Sequence, residues 1–124
     1  MTFEGHHSGH RTERVAEEIR NEVSLMVAGE LKDPRLALPV IVTEVRLSPN
    51  RRTVRVFVRL EGDEEERASA LAGLKAASGY VRRELIDRLR LRRAPEVIFT
   101  VDQSEEYGRH IDDLLRNLNQ PEKP

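Results

Sequence analysis

Residues 53–60 read "TVRVFVRL", and their strict alternation restricts the fold more than any other stretch of the chain. In an extended backbone Val54, Val56, Val58 and Leu60 fall on one side, and Arg55, Phe57 and Arg59 on the other. A strand with one aliphatic and one basic face belongs to a sheet that packs a core on one side and meets water on the other. Upstream, "PVIVTEVRLS" is rich in β-branched residues and predicts a partner strand. "SPNRR" joins the two, with Pro49 and Asn50 supplying turn chemistry. Downstream, "PEVIFTVD" predicts a third strand.

Helical periods fill the space around these strands. From Thr12, a predicted N-cap, apolar residues recur at Val15, Ile19, Val23, Met26, Val27 and Leu31. This pattern marks an amphipathic helix that stops at Asp33-Pro34, because a residue before proline is driven out of the helical region. After the acidic tail Asp63 to Glu66, which suits the positive end of a helix, Ala70, Leu71, Leu74 and Ala77 continue helically. Val81, Leu85 and Leu89 extend the period. Asp102 or Ser104 is expected to cap a last helix with Tyr107, Ile111, Leu114, Leu115 and Leu118 turned inward. The order helix, strand, strand, broken helix pair, strand, helix describes an α+β domain over residues 12–118. Its three-stranded sheet is covered on one face by helices. Residues 1–11 are expected to form a flexible tail containing His6, His7 and His10, and residues 119–124 a C-terminal tail. The same order is that of the type II KH RNA-binding fold with a helix added at the end.

Several function classes fall away. A chain of 124 residues without cysteine points to one domain with no disulfide or thiolate metal site, and to a cytoplasmic compartment. No apolar run reaches the eighteen or so residues of a membrane span, and no signal-peptide core is visible near the N-terminus. A monomer is expected. Asp102, Ser104 and His110 are the residue types of a hydrolase triad, but no nucleophile elbow or glycine-rich oxyanion segment accompanies them. Capping residues and a surface histidine explain them better. The three tail histidines have no fixed geometry for a metal. The expectation is a protein without catalytic residues, cofactor or metal.

The charge is strongly segregated although the net value is only −1. Residues 51–60 carry four arginines and no acid; "EGDEEE" (residues 61–66) carries five acids and no base; residues 67–93 carry eight basic and two acidic groups. Local field, not net charge, governs attraction of a polyanion. On a helix from Tyr80, Arg83 and Arg90 share an outward stripe with Arg82 on its flank, and Arg92 and Arg93 lie just past the end. The planar guanidinium suits phosphate. Placement at a helix C-terminus is an alternative reason for Arg88 and Arg90. A general preference for arginine, eighteen against three lysines, also weighs against reading each one as functional.

Ser78-Gly79 interrupts this basic helix. Glycine inside a helix costs about 1 kcal/mol relative to alanine, so a C-capping glycine followed by a restart is expected, giving two helices and a kink. KH domains join two helices by a GxxG loop at this point. This chain has no GxxG. With Ala77-Ser78-Gly79 in that position, the chain resembles the ribosome-binding factor A family, in which an Ala-x-Gly kink replaces GxxG. "ASGYVR", "LRLRRAPEVIFTVDQS", "RVAEEIRNEVS", "ELKDPRL", "VRVFVRL" and Gly108 followed by "RHIDDLL" carry the resemblance in order, over roughly residues 11 to 118. Two features depart from it: the charged turn Pro49-Asn50-Arg51-Arg52 and the acidic loop of residues 61–66.

The resemblance implies a non-enzymatic assembly factor that binds the precursor small ribosomal subunit and its rRNA. Such a factor supports maturation of the rRNA 5′ end, leaves before translation, and is linked to growth in the cold. The segregated charge assigns the phosphate contacts of such a factor to Arg82, Arg83, Arg90, Arg92 and Arg93, with Arg51, Arg52, Arg55 and Arg59 as a second, weaker strip. Ala77, Ser78 and Gly79 would shape the kink that aims them. The competing expectation is a general single-stranded RNA-binding KH-like module without a ribosomal partner. A protein-interaction adaptor using the acidic helices is a third.

Overall fold

A computed structural model describes the backbone of residues 2–119 and the side chains of residues 11–118. The order is α1 (Thr2–Leu25), a π turn (Met26–Glu30), a 3-10 turn (Pro34–Leu36), β1 (Val40–Leu47), β2 (Thr53–Leu60), α2 (Glu64–Ala76), α3 (Ser78–Leu89), β3 (Glu96–Val101) and α4 (Ser104–Asn119). This is the α+β, KH type II-like order expected from the sequence. β2 is the central strand, antiparallel to β1 and parallel to β3. Val54, Val56, Val58 and Leu60 are buried and Arg55 and Arg59 exposed, as the alternation requires. The helices α1, α2 and α3 lie over the aliphatic face, where Ile19, Val23, Met26, Leu74, Val81 and Leu85 close the core with Val97 and Phe99 of β3. Burying a side chain of this size contributes about 1.5–3 kcal/mol. The alternating strand therefore fixes both the sheet's orientation and the layer that covers it.

Three expectations need correction. Helical backbone extends from Thr2 through the region expected to be a flexible tail, so Thr12 lies inside α1 and does not cap it. Once nucleated by the amphipathic segment that follows, a helix adds residues without needing an apolar period of its own. The side chains of His6, His7 and His10, and residues 120–124 of the C-terminal tail, lie outside the described residues. Second, the apolar stripe of α4 does not pack inward. Tyr107, Leu114, Leu115 and Leu118 are exposed and Ile111 only partly buried. Periodicity established the helix but not a surface for it to meet.

The third correction concerns the break between α2 and α3, which falls one residue before Ser78. Ala77, at φ −85° and ψ −4°, ends α2 and opens α3. Its N–H bonds the carbonyls of Gly73 and Leu74, its own carbonyl accepts from Val81 N, and Ser78 Oγ bonds Lys75 O at 2.7 Å. Gly79 is an ordinary exposed helical residue in α3, not a C-cap. A Cβ there would meet only the end of the Arg83 side chain, at 3.8 Å. Within α2 and α3 the glycine in tight packing is Gly73, where a Cβ would stand 3.2 Å from Arg35 Cβ and 3.4 Å from Leu36. The 3-10 turn presses on α2 there, and its shape is set by Asp33, which accepts from both the backbone and the guanidinium of Arg35. That bonding pulls the Asp33 carboxyl down to about 2.

Candidate nucleic-acid interface

The arginines singled out in the sequence separate into groups with different surroundings. The first is a single side chain. Arg88 is half-buried, and its guanidinium is divided among three carboxylates. Nη1 donates to Glu22 at 3.2 Å, Nε to Glu84 at 3.1 Å, and Glu30 takes the remaining hydrogens. Glu30 reaches this position because the chain leaves α1 through a π turn, closed by Leu31 N to Met26 O at 3.1 Å. Spacings of four residues drift around a helix of 3.6 residues per turn, and one wide turn restores the phase. The guanidinium pushes the Glu30 carboxyl down, and the hydrogen bond to Glu30 raises Arg88. Tyr80, whose hydroxyl donates to Glu30, is raised by burial and then by Glu84 and Glu30. This cluster ties α1 to α3. Neither the helix dipole nor an external anion is needed to explain Arg88.

The second group lies on the open face of the sheet. Arg55 donates to Thr100 Oγ1 at 3.1 Å, Arg59 pairs with Glu105 at 3.8 Å, and Arg46 lies over the Phe57 ring at 5.2 Å. These cations are partly satisfied within the molecule. Beside them Asp102 accepts from Thr43 Oγ1 and from Ser104 N, which lowers it to about 2. Among the described residues no hydrogen bond links Asp102 to His110, so the three hydrolase residue types do not form a triad. The acids of the 61–66 loop have a structural role. Asp63 accepts from Glu66 N and Glu66 from Asp63 N, a capping box, with Glu64 and Glu65 completing the first turn of α2.

The third group surrounds a cleft of about 620 Å³ between the middle of α1, the β1–β2 turn and the end of α3. Arg51, Arg90, Arg92 and Arg93 converge here, and Arg11 of α1 joins them. Sequence reasoning placed Arg11 in a tail and missed it; the helical run through residues 12–19 was the available signal. The floor is aliphatic, from Val15, Ile19, Leu47, Leu89, Leu91 and Pro95. No carboxylate lines the cleft and none of the five arginines makes an ion pair, among the described residues. Arg52 is exposed next to the turn, while Arg82 braces the loop after α3 by donating to Ala94 O at 3.0 Å. Arg83 projects outward beside Gly79.

Two of the cleft arginines stand in left-handed backbone, Arg51 at φ 59° and Arg90 at φ 52°. Such a conformation costs an L residue about 1–2 kcal/mol, and glycine or asparagine would reduce it. At Arg51 the turn is held by Arg51 N to Ser48 O at 2.8 Å and by Asn50 Oδ1, which accepts from Ser48 Oγ and Arg52 N. At Arg90 the residue ends α3 where glycine is the usual choice. Strain of this kind at two positions of one cleft marks it as a candidate site.

A family model described as ribosome-binding factor A matches residues 11–115. A ribosome-binding factor A from Caldanaerobacter subterraneus subsp. tengcongensis is 40% identical over 113 residues, covering 91% of this chain and 93% of that one. Among solved structures, the crystal structure of ribosome-binding factor A from Thermus thermophilus is similar with a TM-score of 0.66 and 28% identity, over 75% of this chain and 97% of that one. Thermus thermophilus ribosome-binding factor A fitted into a cryo-EM map of a 30S complex is similar with a TM-score of 0.60 and 27% identity, over 73% and 93% of the two chains. Among the described residues no helix is long and apolar enough to cross a membrane.

Proposed function

This chain belongs to the ribosome-binding factor A family, and we propose that it binds the precursor small ribosomal subunit through rRNA and supports late maturation, including processing of the rRNA 5′ end, as a monomer without catalytic residues. The observation that carries the rRNA contact is the cleft. Five guanidinium groups without a carboxylate counterpart among the described residues form a concentrated positive field on a chain whose net charge is −1. Such groups gain most from phosphate oxygens, which position a protein on folded RNA without reading sequence. The fitted 30S complex of the Thermus thermophilus relative supports the small subunit as the partner. Arg82 and Arg83 extend the footprint along α3 toward the kink at Ala77, Arg52 extends it at the β1–β2 turn, and Arg55 and Arg59 form a weaker strip on the sheet.

The test has two parts. In sedimented cell extract, the chain co-migrates with small subunits at low salt and is released as salt rises. In cells depleted of it, primer extension shows rRNA with an unprocessed 5′ end accumulating in small subunits. Migration apart from small subunits, with normal 5′ ends after depletion, would contradict the reading and favour a general single-stranded RNA-binding module.

A further inference from the structure

A phosphate patch has no need of an apolar pocket, yet the arginines here ring one. Six aliphatic side chains from α1, β1, the end of α3 and the loop after it form its floor. A phosphate set against such a floor would lose hydration for nothing in return. An occupant that suits both parts must have a flat apolar body, a polar edge and an attached anion. We propose, building on the rRNA reading, that the cleft receives one unpaired nucleotide extruded from folded RNA, its base resting on the aliphatic floor and its flanking phosphates under the arginines.

The dimensions agree. The cleft volume of about 620 Å³ lies within the few hundred to a thousand Å³ usual for small-ligand sites. RNA is read in detail mainly at loops and bulges, where an unstacked base can lie against aromatic rings or guanidinium planes. No aromatic residue lines this cleft among the described residues, so arginine planes supply the stacking surface. Asn50 contributes direction at the rim. Its Oδ1 is taken by Arg52 N and Ser48 Oγ, and a backbone N–H requires oxygen there, so the amide NH2 is the group left to donate. The site therefore favours a base that offers an acceptor edge. An acidic amphipathic peptide is the rival occupant, but five arginines fit two adjacent phosphates better than scattered carboxylates.

The kink at Ala77 starts α3 and the cleft lies at its other end, a 12-residue helix or about 18 Å away. Base insertion at the cleft and any contact at the kink are thus separable. The full-length chain is titrated into three short hairpin RNAs of one sequence, read by fluorescence anisotropy. One has a single unpaired 2-aminopurine, one an abasic site at that position, and one is fully paired. The unpaired 2-aminopurine binds about tenfold more tightly than the abasic form and its emission changes on binding, whereas Leu91→Asp abolishes that preference. Equal binding of the intact and abasic hairpins, weakened alike by Arg92→Ala and Arg93→Ala, overturns base insertion and leaves the phosphate reading in place. If none of the three RNAs binds while small subunits are still captured, the rRNA reading itself fails, and an acidic protein surface becomes the partner. Should Leu91→Asp not fold, the intact-versus-abasic comparison on the native chain still decides.

Discussion

Arg88 and Arg90 stand two residues apart at the end of α3 and meet opposite surroundings. Arg88 is half-buried among Glu22, Glu30 and Glu84; Arg90 is exposed, left-handed and free of ion pairs among the described residues. The same side chain therefore serves as an internal tie in one place and as an open cation in the next. Arginine density alone does not separate these roles. What separates them is the supply of carboxylates from other elements, together with the left-handed backbone by which Arg90 ends α3.

The sharpest way to break this contrast is charge reversal in the cleft. Arg51→Glu combined with Arg90→Glu should weaken small-subunit binding by about 30- to 100-fold, since each change removes a phosphate partner and adds a repulsion. The melting temperature should hardly move, which circular dichroism checks. Arg88→Met should behave the other way. Three carboxylates left facing one another lower the melting temperature by about 5 °C, while the salt dependence of binding keeps its slope. Arg90→Gly sharpens the comparison, because it should do both things in opposite directions. Relief of the left-handed backbone raises stability by about 1 kcal/mol, and subunit affinity falls about three- to fivefold. A gain in stability with a loss of function would identify strain kept for the site. Gly79→Ala should raise the melting temperature slightly, with about 1 kcal/mol as the ceiling from helix propensity. A loss of binding in that variant would assign Gly79 to close backbone contact with RNA.

The smallest effect lies at low pH, away from the cleft. Asp102 has a native value of about 2 against an ordinary 3.8. Its depressed value contributes stability that is complete above about pH 4 and lost as the pH falls toward 2. Asp102→Asn should therefore flatten the acid limb of a stability–pH curve between about pH 4 and 2. Cleft variants should leave that limb unchanged.

Much of the fold could be read from local pattern. The alternation at 53–60 fixed the orientation of the sheet, and the acids at 63–66 capped α2 as their position implied, whereas the first helical stretch ended at Glu30, three residues before Asp33-Pro34, with Leu31 already extended. The site was only partly legible. Arg51 and Arg90 lie 39 residues apart, and no period or motif declares that a turn and a helix end meet. Arg11 needed a helical α1 to reach the same cleft. The left-handed backbone at both arginines runs against residue preference, so propensity points away from it. Gly79 was the reverse case: a strong local signal at a position the helix simply absorbs, while Gly73, whose packing is tertiary, gave no signal. The stripe on α4 shows the limit of periodicity, which describes a face and not what meets it.

The central claim is that the cleft arginines, and not Arg88, carry the contact with small-subunit rRNA. The most direct test is the slope of log affinity against log salt for small-subunit binding, with arginines replaced one at a time by glutamine. Five phosphate contacts give a slope of roughly −4, at about 0.7–0.9 per contact. Each replacement among Arg11, Arg51, Arg90, Arg92 and Arg93 should make it shallower by one such step, and Arg88→Gln should leave it alone. A slope unchanged by the five replacements, or one that responds to Arg88→Gln instead, would contradict the account.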